Sequence, residues 1–152
     1  MPNKPFRVQQ VDHIELYVPD QYEAAKWYKE ILGLEIMKDY EFWANEGGPL
    51  MISSDDGNTK LALFKGQPPG FMVPTGFKRV AFRVDGDGFF QFLNRLARHP
   101  VFGDTGEREN KLEVVDHDRA YSLYFSDPFG NRYEVTTYDY TYVADRLNQN
   151  QP

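Results

Sequence analysis

Ser122-Leu123-Tyr124-Phe125-Ser126-Asp127-Pro128-Phe129-Gly130-Asn131-Arg132-Tyr133-Glu134-Val135 reads as a strand, a tight turn and a second strand. Tyr124 and Phe125 favour a pleated surface. Asp-Pro-Phe-Gly supplies the turn: Pro128 fixes φ and Gly130 tolerates positive φ. From Arg132 to Tyr138 the chain is again rich in β-branched and aromatic residues. The turn accounts for the aspartate, proline and glycine without any function. It does not account for Glu134, because a carboxylate in an otherwise apolar strand is costly to bury without a partner.

Upstream of this hairpin the chain repeats one order of elements. Residues 1–10 are a polar lead-in, and Val11 to Val18 then alternates with period two. Ile14, Leu16 and Val18 fall on one face, and His13, Glu15 and Tyr17 on the other. Asp20 and Glu23 have capping-box spacing. Ala25, Tyr28, Ile31 and Leu32 then mark a helical face, and Gly33 a C-terminal stop. Strands are expected over 34–40, 49–54 and 59–65, the last two joined through Asp55-Asp56-Gly57-Asn58. The Pro- and Gly-rich stretch 66–76 reads as a linker.

A strand over 77–84 follows. Asp85 to Gly88 break it and cap a helix whose apolar face is Phe89, Phe92, Leu93 and Leu96. A polar loop is expected over 103–110, strands over 112–117, 120–126 and 132–138, and a short terminal helix over 143–147. Both halves thus run strand, helix, three strands. His13 and Arg79 are 66 positions apart, Tyr28 and Phe92 64, and Ala62 and Glu134 72. An insertion in the loop around 103–110 accounts for the drift. The order of elements carries this repeat, since few letters match.

The 152 residues suit one ordinary domain or two very small ones. The net charge of −6 argues against nucleic acid or an anionic membrane surface as a partner. It is compatible with a cationic ligand and with ordinary solubility alike. With no cysteine, disulfides, thiolate metal sites and a cysteine nucleophile are excluded. No apolar run reaches a spanning length and the N-terminus is too polar for a signal peptide, so a cytoplasmic protein is expected. Aromatic residues make up 16%, which suits a ring-lined cavity and ring-rich packing equally.

Asp12-His13-Ile14 opening the first strand, and Asp127-Pro128-Phe129-Gly130-Asn131 followed by Glu134, resemble the vicinal oxygen chelate superfamily. This group joins glyoxalases, bleomycin-resistance proteins and extradiol dioxygenases. Tyr28 to Leu34 is similar to the end of the family's first helix. The resemblance spans about residues 9–139. It implies an α+β fold of two βαβββ modules, about 9–66 and 76–139, in one domain covering 1–152. The linker is then 67–75 and the C-terminal tail 140–152. The modules curl their mixed sheet into a cup with helices outside, and the protein is expected to form a homodimer.

By the same resemblance the family's four metal positions fall on His13, Ala62, Arg79 and Glu134. His13 and Glu134 are competent ligands for iron, manganese, nickel or zinc. Ala62 has no donor atom, and Arg79 is a permanent cation. No metal or other cofactor is therefore expected, and the half-site His13 and Glu134 is what remains. The expected function is binding of a small organic ligand in a polar, aromatic cup lined by His13, Glu15, Tyr17, Arg79, Arg83, Tyr124 and Glu134. Glu134 and Glu15 are candidates to pair with Arg79. Two other readings stay open. One is a divalent-metal lyase, isomerase or ring-cleaving dioxygenase using His13, Glu134 and a third ligand, with Glu15 and His117 as candidates. The other is a metal-independent enzyme with Glu134 or His13 as base beside Arg79.

Overall fold

A computed structural model describes residues 5–7, 9–67 and 78–150. Most of the expected linker, residues 68–75, lies outside them, as do Phe77 and the last two residues of the expected tail. The chain divides into two compact units, Met1–Phe71 and Met72–Pro152.

In the first unit, β1 (Ile14–Val18) is followed by α1 (Gln21–Leu32). The Asp20 side chain accepts from the backbone N–H of Tyr22 at 3.0 Å and of Glu23 at 2.9 Å, which satisfies two donors at the helix start. Gly33 ends the helix at φ +69°, and its N–H donates to the Lys29 carbonyl at 3.1 Å. Then come β2 (Glu35–Ile36), a 3-10 turn (Lys38–Tyr40), the short helix α2 (Phe42–Asn45), β3 (Leu50–Ser53) and β4 (Lys60–Lys65). The sheet order is β1-β4-β3-β2, with β1 parallel to β4 and the other pairs antiparallel. Buried Ala24, Ala25, Tyr28 and Ile31 pack α1 on the sheet.

The strand expected over 34–40 stops at Ile36. The Tyr40 and Trp43 rings meet at 4.9 Å, and that three-residue spacing is brought together by a helical turn and separated by a strand.

The second unit contains β5 (Val80–Arg83), α3 (Gly86–Arg95), β6 (Val101–Phe102), β7 (Arg108–Glu109), β8 (Val115–Asp116), β9 (Tyr121–Ser126), β10 (Arg132–Thr137) and α4 (Tyr140–Gln149). Its order is β5-β10-β9-β6-β7, with β8 also on β9 and β5 parallel to β10. The sheet thus repeats the first, but its edge partner matching β2 is β6. The strand expected over 112–117 shrinks to β8, and the expected loop over 103–110 contains β7. The Gly103 N–H donates to the Glu107 carbonyl at 2.9 Å and closes the β6–β7 hairpin.

Opposite Glu134's face lies a ring cluster. Phe92 meets Phe125 at 5.2 Å, Phe125 meets Tyr133 at 5.9 Å, and Tyr133 stacks on Phe82 at 5.7 Å. The terminal helix is longer than expected, and its first turn is tied down. Tyr140 stacks on Tyr121 at 4.8 Å and donates to Asp116 at 2.9 Å, and Val143 is buried. Among the described residues, four helices and two mixed sheets that do not close into barrels make the fold α+β.

Candidate functional site

Pairing in each sheet decides which side chains share a face. In the first unit Glu15 lies opposite Ala62, and Ala62 opposite Met51. In the second, Ala81 lies opposite Glu134, and Glu134 opposite Tyr124. Glu15 and Ala81 are therefore equivalent, as are Ala62 and Glu134. Stepping back one pleat makes His13 equivalent to Arg79, the same pairing the sequence offset suggests.

His13, Glu15 and Tyr17 share one face of the first sheet. The His13 ring is clasped by carboxylates: Nδ1 lies 2.7 Å from Asp12 Oδ2, and Nε2 lies 3.4 Å from Glu15 Oε1. Asp12 is itself held by Lys60 Nζ at 2.9 Å. The hydrogen bond to Asp12, then that to Glu15, raise the His13 pKa above 6.5 despite partial burial. The hydrogen bonds from His13 and Lys60 lower that of Asp12. Tyr17 leans on Phe64, ring centres 6.4 Å apart. Ala62 is fully buried between Glu15 and Met51 in the sheet and offers no donor.

These shifts set a pH dependence. A raised histidine pKa contributes stability that is fully present below the unfolded value, near 6.5, and lost as pH rises through the folded one. The lowered Asp12 value contributes stability above 3.8 that is lost as pH falls. Proton NMR should find His13 titrating above 6.5, and Asp12→Asn should bring its midpoint down. An unchanged midpoint in that variant would remove Asp12 as the cause.

The second sheet places Arg79, Arg83, Tyr124 and Glu134 on one face and brings Arg79 and Tyr124 into contact. Arg79 precedes β5 and reaches across β10, so that its Cζ stands 4.5 Å from the centre of the Tyr124 ring on β9. Its Nη1 is buried with no hydrogen-bond partner among the described residues. The expected ion pair between Arg79 and Glu134 does not form: among the described residues Arg79 has no ion-pair partner. Glu134 is held instead by Ser122, whose hydroxyl donates to Oε1 at 2.6 Å and lies 3.0 Å from Thr136 Oγ1. Thr136 Oγ1 is in turn 3.3 Å from the Tyr121 carbonyl. Arg83 stands 5.4 Å from the Tyr138 ring centre, apart from this cluster. His117 Nε2 lies 2.8 Å from the Tyr124 hydroxyl, so it faces the cluster and not open solvent alone.

Beside Tyr124 opens a cleft of about 530 Å³, walled by residues 108–113 and Val115. Sequence reasoning missed Ser122, Thr136 and this wall. Alternation could have found Ser122, two residues before Tyr124 on the same strand face. Nothing local marks the wall, which only the folding of the 103–115 segment beside β9 creates.

The Glyoxalase/Bleomycin resistance protein/Dioxygenase superfamily model matches residues 10–135. No curated protein matches the chain. Several solved structures share the fold. Oxidase ChaP-H2 is 23% identical with a TM-score of 0.60, over 86% of this chain and 94% of that one. A putative glyoxalase family protein from Bacillus anthracis is 24% identical with a TM-score of 0.57, over 89% and 99%. The fosfomycin resistance protein FosX from Listeria monocytogenes is 13% identical with a TM-score of 0.63, over 92% and 99%. With the family match running from the lead-in of β1 into β10, and the two sheets repeating one register, this chain belongs to the glyoxalase, bleomycin-resistance and dioxygenase superfamily.

Proposed function

We propose that this protein binds a small organic ligand on the Glu134 face of its second sheet, and that its family metal position is degenerate. The supporting observation is Arg79. It occupies a position where the resemblance expects a metal ligand, carries a charge with no ion-pair partner among the described residues, and stacks on Tyr124 beside the cleft. Holding a buried donor unpaired costs about 1–3 kcal/mol, which is unfavourable for a residue serving stability alone.

Members of this superfamily often use divalent metals. The four positions here do not fit one. Ala62 has no donor and Arg79 stays protonated. Both His13 nitrogens lie on carboxylates, which favours the imidazolium, whereas a metal needs the neutral ring. Glu134 Oε1 is taken by Ser122. Among the described residues no three histidine, aspartate or glutamate side chains gather to hold a metal ion.

In this reading His13, Glu15 and Tyr17 are a second group of contacts, on the first sheet. If the bound molecule is also transformed, Glu134 is the candidate base and Arg79 the candidate partner for developing negative charge. The alternative, a divalent-metal lyase, isomerase or dioxygenase built on His13 and Glu134, draws support from His117, which meets Tyr124 on Glu134's face. A homodimer and a cytoplasmic location complete the proposal. Light scattering returning a 17.7 kDa monomer at high concentration would remove the dimer. Among the described residues no helix is long and apolar enough to cross a membrane.

Two measurements test the reading. Protein grown with iron, manganese, nickel and zinc should retain far less than one metal per chain, and one tightly held metal released by Glu134→Ala would overturn it. Arg79→Met should leave stability unchanged or raise it by about 1 kcal/mol, since it removes the unpaired donor and keeps the stem. A loss above about 2 kcal/mol would make Arg79 a structural residue.

A further inference from the structure

The outer edge of β9 has a gap at Tyr124. Bonded and non-bonded residue pairs alternate along an antiparallel ladder. The Asp127 N–H donates to the Asn131 carbonyl at 2.9 Å, so Phe125 and Leu123 are the next residues bonded to β10. Tyr124, between them, turns its backbone N–H and C=O to the opposite edge. On that edge the His117 N–H donates to the Ala120 carbonyl at 2.9 Å, which makes Val115 and Ser122 the next bonded pair. Phe102 of β6 stands opposite Ser126. Glu113 would bond Tyr124 if β8 began two residues earlier, but β8 starts at Val115 and residues 111–114 are in no strand. Among the described residues the Tyr124 N–H and C=O have no hydrogen-bond partner. The cleft of about 530 Å³ lies at this gap, bordered by Tyr124 and Val115 and walled by residues 108–113. Neither Arg79 nor Glu134 lines it.

We infer that this cleft binds a small neutral cyclic amide, a lactam or imide, held edge-on by the Tyr124 backbone. The site is separate from the face proposed above and does not rest on it. In an extended residue the N–H and C=O point the same way, as they do toward a partner strand. Their complement is a molecule that offers an acceptor and a donor side by side, which is the geometry of a cis amide. An open-chain amide is trans and points its two groups apart. A passing strand does not fit, because β8 and Phe102 already hold the ladder positions on either side. The charges of the wall balance, Arg108 and Lys111 against Glu109 and Glu113, so neither an anion nor a cation is selected. Leu112 and Val115 supply apolar contact for the ring, and the volume falls in the ordinary range for small-ligand pockets.

Hydrogen exchange tests the gap, and amide NMR tests the ligand. In the free protein the Tyr124 amide should exchange at least about tenfold faster than those of Leu123 and Phe125. Equal protection overturns the site, because the N–H is then already paired. The probes are ε-caprolactam, N-methylcaprolactam lacking the donor, ε-caprolactone with oxygen in place of the N–H, and N-acetylvaline methylamide as a strand mimic. ε-Caprolactam should give saturable shifts at amides 108–115 and 122–126, largest at Tyr124, and should slow exchange there. The other three should each bind about tenfold more weakly. Leu112→Ala should weaken the ring probes alike, by about threefold. Glu134→Gln should leave the ε-caprolactam affinity within about twofold, and a larger loss would move the ligand onto the Glu134 face and overturn the edge assignment. N-methylcaprolactam binding as tightly as ε-caprolactam overturns the amide reading. Tighter binding of the strand mimic overturns it too, as does the absence of any saturable shift with ε-caprolactam. The ligand reading of the Glu134 face fails separately, through a retained metal or an Arg79→Met protein that has lost stability.

Discussion

Asp127→Ala is expected to cost about 3 kcal/mol of folding stability. Asp127 is 1% exposed, at the head of the turn between β9 and β10. Its Oδ1 accepts from the backbone N–H of Phe129 at 2.8 Å and of Asn131 at 2.9 Å. Its Oδ2 accepts from Asn131 Nδ2 at 2.7 Å. Alanine leaves two backbone donors and one side-chain donor without these acceptors, and hydrogen bonds to a charged group contribute about 1.5–3 kcal/mol each. The costs do not add fully, because water reaches the turn at exposed Pro128 and Gly130. Asp127→Asn keeps one carbonyl acceptor and should lose about half as much. Urea unfolding with an unchanged slope reads both values. A loss under about 0.5 kcal/mol for the alanine variant would show that the Pro128 and Gly130 backbone closes the turn unaided.

This turn also shows what a sequence can carry. Asp127, Pro128 and Gly130 mark it locally, and Gly130 does adopt φ +94°. The same holds for the Asp20 and Asp85 caps, which accept from two backbone N–H groups and one, respectively, of the following helix. The long strands were legible through alternation, whereas the grouping of Arg79, Tyr124 and Glu134 rested on the family resemblance and not on any period. Two-residue strands such as β6 and β7 were not, because two residues contain no period, and β2 was expected longer than it is. Neighbouring strands select them by offering an edge. The site divides in the same way. That Glu134 needs a partner follows from burial, but its partner is Ser122, twelve residues away across a hairpin whose register only the folded sheet fixes. Arg79 looked like the natural counter-ion. Its side chain lies instead over an aromatic face two strands distant.

Gly86→Ala is expected to cost about 2 kcal/mol, although alanine is the better helix former. Gly86 begins α3, is buried, and donates its N–H to Asp139 Oδ2 at 2.8 Å. A Cβ at this position would run into the Tyr142 ring of α4. That ring is held in place: its hydroxyl bonds Asp87, and the Arg146 guanidinium lies 4.6 Å from its centre. Overpacking against a held neighbour costs about 1–3 kcal/mol, more than the helix propensity of alanine returns. Tyr142→Ala removes the obstacle at its own cost of about 1 kcal/mol, through the lost hydroxyl bond and ring contacts. In that background Gly86→Ala should be neutral, or stabilising by up to about 0.5 kcal/mol. The cycle therefore predicts a coupling of about 2 kcal/mol between residues 56 positions apart. Hydrogen exchange should show its origin: in Gly86→Ala the amides of α4 lose protection before those of β9 and β10, because the helix is displaced while the sheet stands. Equal costs in both backgrounds would mean that Gly86 is required by its own backbone, and that α4 docks independently of it.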